Sequence, residues 1–173
     1  FSYKGTHTFR LIATDNMYRT SYTDFKVTCS EGEIVTSGPE ITWTNTDGSV
    51  TYDFGNVYPI DDDLEVVLTV STATAFTGFN VEIISDLLTP EELAGIGLSD
   101  KFDLMNPGAY QGTLEGFGFP VGDAISSESE VKFNISKTLI GLIPLLGDGY
   151  CNFKLIVTDA SGTTEKTVQL TAN

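Results

Sequence analysis

The stretch FKLIVTDASG (residues 153–162) decides the fold, and FRLIATDN (residues 9–16) repeats it near the N-terminus. The two copies lie 153 − 9 = 144 residues apart. Apolar and polar residues alternate in both copies before an Asp-containing turn, which is the pattern of a half-buried strand entering a β-hairpin. The aligned identical pairs are Gly5/Gly149, Phe9/Phe153, Leu11/Leu155, Ile12/Ile156, Thr14/Thr158 and Asp15/Asp159. The repeat therefore predicts the same terminal hairpin twice in one chain.

The first copy is predicted to be a hairpin over residues 5–29, with its turn at Asp15 and Asn16. Both of these side chains can hydrogen-bond to nearby backbone amides, which favours a turn. The second copy is predicted to form strands over residues 150–158 and 163–171. The two hairpins should then resemble each other in strand length and in the face that carries the apolar residues.

Further strands are predicted between the two hairpins, because β-branched and aromatic residues recur there with a period of two. These strands are predicted over residues 40–44, 49–54, 64–71, 79–85 and 131–136. Two short helices are predicted as well: TPEEL, with Thr89 as its cap and Glu92 closing a capping box, and KTLIGLI, which follows Ser136 and ends at Pro144. Residues 101–129 are rich in Gly, Pro and acidic residues, and they are predicted to be irregular with one or two short strands.

Strands at this spacing with few helices predict an all-β fold, an antiparallel β-sandwich. Since each hairpin would close one sandwich, residues 1–31 are predicted to be the terminal hairpin of a preceding similar domain. Residues 32–173 are predicted to be one complete sandwich. A two-stranded hairpin alone is at best marginally stable in water, so residues 1–31 should be held by contacts with a partner.

Deletion of residues 1–31 is expected to leave a folded domain that unfolds cooperatively, because this boundary places every strand of the complete sandwich after residue 31. Urea unfolding followed by circular dichroism measures this. A remainder without a cooperative transition would place the boundary elsewhere.

The composition is that of a globular protein, with 40% hydrophobic and 19% charged residues among 173. Its net charge is strongly negative, 9 − 24 = −15. Such a surface repels phosphate backbones and anionic lipids, so no nucleic-acid partner is expected. No apolar run approaches the roughly 20 residues that cross a bilayer, so no direct membrane insertion is expected from this chain. Cys29 and Cys151 share the alternation of core residues and are predicted to be buried free thiols, with a disulfide between them as the alternative.

Several motifs in order resemble a type of Ig-like domain that occurs in tandem in surface proteins of gut Bacteroidetes, many of them lipoproteins. They are FNVEIIS, LTPEEL, FDLMNP, VKFNISKTLIGLIPLL and FKLIVTDASGTTEKTVQL. The last phrase is also similar to the closing hairpin of PKD-like and hyalin-like repeats. The resemblance covers most of residues 64–173 and implies an Ig-like sandwich with an adjacent Ig-like domain as partner. It also implies an extracellular, cell-surface or periplasmic location in a Gram-negative bacterium.

The sequence contains few side chains suited to catalysis. The single histidine, His7, aligns with Cys151 in the repeat and so occupies a structural position. The sequence has no His-Glu-x-x-His, Gly-x-Ser-x-Gly or phosphate-binding glycine motif. Two carboxylates roughly 5 to 9.5 Å apart suffice for a glycosidase, but 24 acidic residues supply such a pair by chance. No enzyme activity and no catalytic residue are predicted.

The run Asp61-Asp62-Asp63 allows two interpretations. Adjacent carboxylates in a loop suit Ca²⁺, which prefers hard oxygen ligands. The run lacks the spacing of an EF-hand, however, and it directly precedes a predicted strand, where acidic residues keep a turn solvated. The solvated turn is favoured and no cofactor is expected, with calcium at these three residues as the alternative.

Aromatic residues supply candidates for carbohydrate binding, since exposed rings beside polar groups can stack on sugar faces. The candidates are Tyr52, Tyr58, Tyr110, Phe117 and Phe119. The alternative is that these rings cover the open ends of the sandwich. Three or more of them lining one open groove would favour sugar binding, and burial would favour the structural interpretation.

Together these observations predict a non-catalytic extracellular Ig-like module with a structural, spacer or adhesive role, contacting a glycan or a surface protein. A carbohydrate-binding module of a surface glycan-utilisation system is the alternative. A glycan-processing enzyme is a third hypothesis, and it would require a deep cleft with two facing carboxylates.

Overall fold

The structure is a computed structural model that describes residues 5–14, 16–29 and 38–172, and strands dominate it. The strands are β1 (Gly5–Thr14), β2 (Thr20–Cys29), β3 (Glu40–Thr44), β4 (Val57–Pro59), β5 (Val66–Ser71), β6 (Gly78–Ser85), β7 (Lys101–Asp103), β8 (Glu130–Ile135), β9 (Gly149–Asp159) and β10 (Gly162–Ala172). The helices are α1 (Pro90–Gly95), α2 (Gln111–Gly116), α3 (Asp123–Ser126) and α4 (Lys137–Leu142), with 3-10 turns over Gly108–Tyr110 and Ile143–Leu146. The predicted all-β class is confirmed.

The chain divides into two compact units, residues 1–35 and 36–173. The first contains the antiparallel hairpin β1–β2, and Asn16 lies in its turn while Asp15 lies outside the described residues. The second contains the remaining strands and all the helices named above. That residues 1–31 derive from a preceding domain stays a prediction.

The second unit is a sandwich of two sheets. One has the order β3-β5-β8 and the other the order β4-β10-β9-β6-β7. One continuous cluster of buried side chains draws on both sheets, from Trp43 on β3 to Phe153 on β9. All pairs are antiparallel except β4 with β10, which is parallel. The distribution of β3, β5 and β8 on one sheet and β6, β9 and β10 on the other is that of strands A, B, E and C, F, G in an Ig-like sandwich.

The predicted strand over residues 49–54 is wrong, because this segment is mostly irregular and pairs at Thr51 alone. Gly48 has a φ of +74°, and a single bridge joins Thr44 to Thr51. The Asp53 carboxylate accepts a hydrogen bond of 2.8 Å from the Gly55 amide, which folds the backbone again. Strand β4 was not predicted, because it has only three residues, one of them Pro59, and pairs with a distant strand.

The segment over residues 101–129 is more regular than predicted. It contains β7, a 3-10 turn, α2 and α3, so the described residues form four short α-helices where one or two were expected. Its buried side chains belong to the core of the sandwich, among them Leu104, Leu114 and Ile125. Helices of four to six residues span less than two turns and leave little periodicity to detect.

The two predicted helix starts are confirmed. The Thr89 hydroxyl accepts a hydrogen bond of 3.3 Å from the Glu92 amide at α1, and the Ser136 hydroxyl accepts one of 3.2 Å from the Leu139 amide at α4. The capping box does not close, since the Thr89 amide donates to the carbonyl of Leu87. The α-helix ends at Leu142, two residues before Pro144, which lies in the 3-10 turn that follows.

The turn between β9 and β10 is built by Asp159. Its Oδ1 accepts hydrogen bonds from the Ser161 hydroxyl (2.6 Å), the Ser161 amide (2.7 Å) and the Gly162 amide (3.1 Å). The bond from the Ser161 hydroxyl is the main reason that the pKa of the Asp159 carboxyl is lowered. The ionised carboxylate therefore stabilises the closing hairpin.

Asp159→Asn is expected to lower the thermal midpoint at pH 7 and to flatten its fall in acid. Because the folded-state pKa lies below the unfolded value of about 3.9, the carboxylate's contribution is complete above the unfolded pKa. It is lost as the pH falls through the folded pKa. Thermal melts at a series of pH values from neutral to acid measure this. Asp148→Asn, at an exposed position just before β9, is the control and should keep the wild-type profile; equal profiles for all three proteins would contradict the prediction.

Candidate functional site

An aromatic cluster surrounds Trp43, which β3 places in a fully buried position. The Tyr52 ring stacks on the indole at a centroid distance of 4.6 Å, and the Tyr58 ring meets it edge-on at 5.0 Å. Tyr52 and Tyr58 contact each other at 5.1 Å. The indole Nε1–H donates a hydrogen bond of 3.0 Å to the Glu65 carbonyl. The two tyrosines therefore act first as cover for the buried tryptophan.

Beside this cluster lies an open cavity of about 330 Å³. Its lining combines the half-buried ring of Tyr52 with the side chains of Thr42, Thr51 and Asp53. A ring beside hydroxyl and carboxylate groups is the combination that recognises a sugar. Of the five predicted carbohydrate-binding residues, this cavity contains Tyr52.

The other predicted rings lie in different surroundings. Phe119 is buried and contacts Phe102 at 5.3 Å and Phe133 at 6.0 Å. Phe117 is half-buried against the core, and Tyr110 is 37% exposed in its 3-10 turn. The structure thus brings Tyr52 and Tyr58 together and places Phe119 among different rings. The cavity beside Tyr52 and the cavity beside Phe119 contain one of the five rings each.

The acidic run forms the turn that begins β5. The Asp61 Oδ1 accepts hydrogen bonds from the Leu64 amide (2.8 Å) and the Asp63 amide (3.1 Å). The Lys137 Nζ donates a bond of 3.0 Å to the Asp62 carbonyl at the rim of a cleft of about 380 Å³. Within residues 5–14, 16–29 and 38–172, no group of three His, Cys, Asp or Glu side chains is placed to hold a metal ion. The Asp61 carboxylate thus accepts the backbone hydrogen bonds that form this turn.

Cys151 is a buried free thiol on β9, and the side chains of Cys29 and His7 lie outside the described residues. Burial is the main cause that raises the pKa of the Cys151 thiol to about 12. The thiol is therefore protonated at neutral pH and is a poor nucleophile.

In a Cys29→Ser background, Cys151 is expected to resist a disulfide reagent at pH 8 in the folded protein. With a pKa about 4 units above that pH, roughly one thiol in ten thousand is ionised, and burial blocks access as well. Absorbance of the released thiolate measures the reaction, and the same protein in guanidinium is the control that should react fully. Rapid modification of the folded protein would contradict the expected burial.

The two hairpins share one register. Phe9 pairs with Phe25 in β1–β2, as Phe153 pairs with Val168 in β9–β10. All ten pairs of the first hairpin coincide with pairs of the second when the first strands are offset by 144 residues and the second strands by 143. The difference of one residue lies in the turn. The sequence showed the likeness of the first strands only, since the second strands share few identities and lie at a different offset.

The two hairpins differ in the exposure of the face that carries the repeated apolar residues. Leu11 is 63% exposed and Leu155 is 1% exposed, and Phe9 is 50% exposed where Phe153 is fully buried. Large apolar side chains are exposed on both faces of the hairpin: Phe9 and Leu11 lie on this face, and Ile12 and Tyr22 lie on the opposite one. The face that carries Phe9 and Leu11 therefore presents an apolar surface whose counterpart in the second unit is core.

The opposite face of β1–β2 carries an ion pair. The Arg10 guanidinium forms two hydrogen bonds to the Asp24 carboxylate, of 2.7 and 2.8 Å, and lies 4.3 Å from the centroid of the Tyr22 ring. The hydrogen-bonded pair raises the pKa of Arg10 and lowers that of the Asp24 carboxyl. In β9–β10 the equivalent Lys154 forms an ion pair of 2.8 Å with Glu165. The two hairpins therefore agree in which face is polar.

Comparison with known proteins gave no match of this chain to a protein family, to a curated protein or to a solved structure. Among the described residues, no helix has the length and apolar character needed to span a membrane.

Proposed function

We propose that the chain is a non-catalytic Ig-like module with a structural, spacer or adhesive role in an exported surface protein of a Gram-negative bacterium. The observation that carries the proposal is the apolar face of β1–β2. Leu11 is 63% exposed there, although the equivalent Leu155 belongs to the core of the sandwich. Exposed apolar surface of this kind marks a site of contact with another protein. An adjacent Ig-like domain is the partner that the repeat favours.

The ionisable groups with a shifted pKa belong to turns and ion pairs of the protein itself. Among the described residues, the carboxyl groups with a shifted pKa have it lowered, and Arg10 and Lys154 have it raised, as in structural ion pairs and turns. The pKa of Asp47 is lowered by its bond with Ser49 and that of Glu65 by the Thr46 amide, while the pKa of Lys154 is raised by Glu165. A general acid or base needs the opposite shift, toward neutral pH. The ionic groups of the sandwich thus serve its own structure.

Protease shaving of intact cells that produce the full-length parent protein tests the surface location. Residues 36–173 are followed with a specific antibody. We expect the segment to be cut or released without lysis, while a cytoplasmic marker stays intact. A segment that becomes accessible only after lysis would contradict the proposal.

Carbohydrate binding is the second candidate. The cavity that joins the Tyr52 ring to Thr42, Thr51 and Asp53 supports it, but this cavity contains one of the five predicted rings and not the three that would favour sugar binding. A glycan array probed with the intact chain tests it. Loss of one stacking ring costs about 0.5–1.5 kcal/mol, so Tyr52→Ala should weaken binding by up to about tenfold. Tyr150→Ala, at an exposed ring outside the lining of this cavity, is the control. An array without a retained glycan would contradict this second function.

A further inference from the structure

The hairpin β1–β2 forms a two-stranded sheet, and its own geometry limits which partner can cover it. Ten residues per strand make the face about 33 Å long, and two strands make it about 10 Å wide, or about 330 Å². A stable pairing of two proteins buries about 800 Å² on each partner. Face-to-face packing of this hairpin with a second copy of itself therefore falls short. A partner that also bonds to the strand edge adds a ladder of backbone hydrogen bonds.

The closing hairpin of the second unit shows how such a partner is built. The edge of β9 that faces away from β10 pairs with β6 over eight residues, from Gly78↔Thr158 to Ser85↔Cys151. In this ladder Leu155 lies opposite Val81, and Phe153 lies opposite Ile83. The sheet β3-β5-β8 supplies the other wall of the core that contains them. One edge and one face of β9 are thus covered together.

We propose that β1–β2 supplies the last two strands of a second Ig-like sandwich. That sandwich has no closing hairpin of its own. The edge of β1 pairs antiparallel with a strand equivalent to β6. Leu11 and Ala13 then pack on a sheet equivalent to β3-β5-β8, as Leu155 and Val157 do in the second unit. The partner sheet is apolar and rich in β-branched residues, whether it belongs to the same polypeptide or to another. This inference rests on the proposed contact role and names its partner.

The opposite face fixes the orientation of docking. Arg10 with Asp24 and Lys154 with Glu165 place an ion pair on the same face of each hairpin. In β9–β10 that face is the outer one, because the residues that alternate with Lys154, such as Phe153 and Leu155, are buried. An ion pair costs desolvation when buried, so Arg10 and Asp24 favour the solvent side. Leu11 is thereby directed toward the partner's core.

A graft tests the proposal by placing β1–β2 against a sheet of known structure. In the full chain, residues 149–172 are replaced by a second copy of residues 5–29, so that Asp148 precedes Gly5 as it precedes Gly149 in the natural chain. A chain that ends at Asp148 is the control without a closing hairpin. The single tryptophan, Trp43, is buried in the sandwich and reports on its folding alone.

We expect the graft to show a cooperative urea transition by tryptophan fluorescence, and the chain that ends at Asp148 to show none. In the grafted copy, Leu11→Asp should abolish the transition, because it places a charge in the core. Ile12→Asp, on the outer face, should keep it. A graft that behaves like the truncated chain, or equal tolerance of both substitutions, would overturn the proposal.

If the chain that ends at Asp148 itself unfolds cooperatively, hydrogen exchange of the graft tests whether the grafted hairpin docks. Slow exchange of the grafted β1 amides would support docking, and exchange at the rate of an unstructured peptide would overturn it. These measurements concern folding only. The graft can therefore remain unfolded even if protease shaving shows a surface location. Conversely, shaving can contradict the surface location even if the graft folds.

Discussion

Gly118→Ala is expected to destabilise the 36–173 unit by about 2–5 kcal/mol, one of the two largest effects that we predict. Gly118 follows α2 with a φ of +87°, and a Cβ there would lie 2.1 Å from the carbonyl oxygen of Asn134. The neighbouring Phe117 carbonyl accepts a hydrogen bond of 2.9 Å from the Ser136 amide. The backbone of this loop is therefore held against the end of β8 and cannot move away without breaking that bond.

Gly122→Ala is the matched control. Gly122 also has a positive φ, +56°, but a methyl group at this position would have none of the described atoms outside its immediate neighbours within 4 Å. Gly122→Ala should lower the free energy of unfolding by about 1–2 kcal/mol, because a side chain disfavours a positive φ. Urea unfolding monitored by Trp43 fluorescence compares the two variants. Equal losses would show that contact with Asn134 does not hold the loop.

Trp43→Ala is expected to cost about 3–5 kcal/mol, as large-to-small changes of buried aromatic residues do. The indole is fully buried, and the rings of Tyr52, Phe54 and Tyr58 pack against it. Removal would leave a cavity beneath these rings and would leave the Glu65 carbonyl without the Nε1–H donor. The variant has no tryptophan, so far-ultraviolet circular dichroism in urea is the measurement.

Leu145→Ala provides the control for this variant, because Leu145 is 79% exposed in the 3-10 turn after α4. Its effect should stay within about 0.5 kcal/mol. If Trp43→Ala were as mild, the aromatic cluster would not be part of the core, and the rings of Tyr52 and Tyr58 would be available to a ligand. The same pair of variants thus bears on the carbohydrate alternative.

The hairpins and the central strands could be predicted from sequence because each alternates over a long stretch. The buried residues of β9 recur at every second position from Cys151 to Asp159. The same signal misled at residues 49–54, where the rings of Tyr52 and Phe54 contact Trp43 but the backbone pairs with β3 in a single bridge at Thr51. Alternation records which side chains face the core, and irregular segments can produce it as well as strands.

The candidate site depended on contacts between distant segments, which composition does not reveal. Tyr52 and Tyr58 meet because the chain turns back between them to form β4. Phe119 instead joins Phe102 and Phe133, which belong to β7 and β8. The apolar face of β1 was predicted from alternation, but its exposure could be seen only once the two hairpins were compared pair by pair.

Hydrogen exchange of the intact chain tests most directly whether β9–β10 belongs to a core and the similar hairpin β1–β2 does not. Backbone amides of β9 and β10 should exchange at least about a hundredfold more slowly than those of β1 and β2, since only the former are enclosed by a cooperative unit. Mass spectrometry of peptides from residues 5–29 and 149–172 gives both rates in one experiment. Equal protection of the two hairpins would contradict the account.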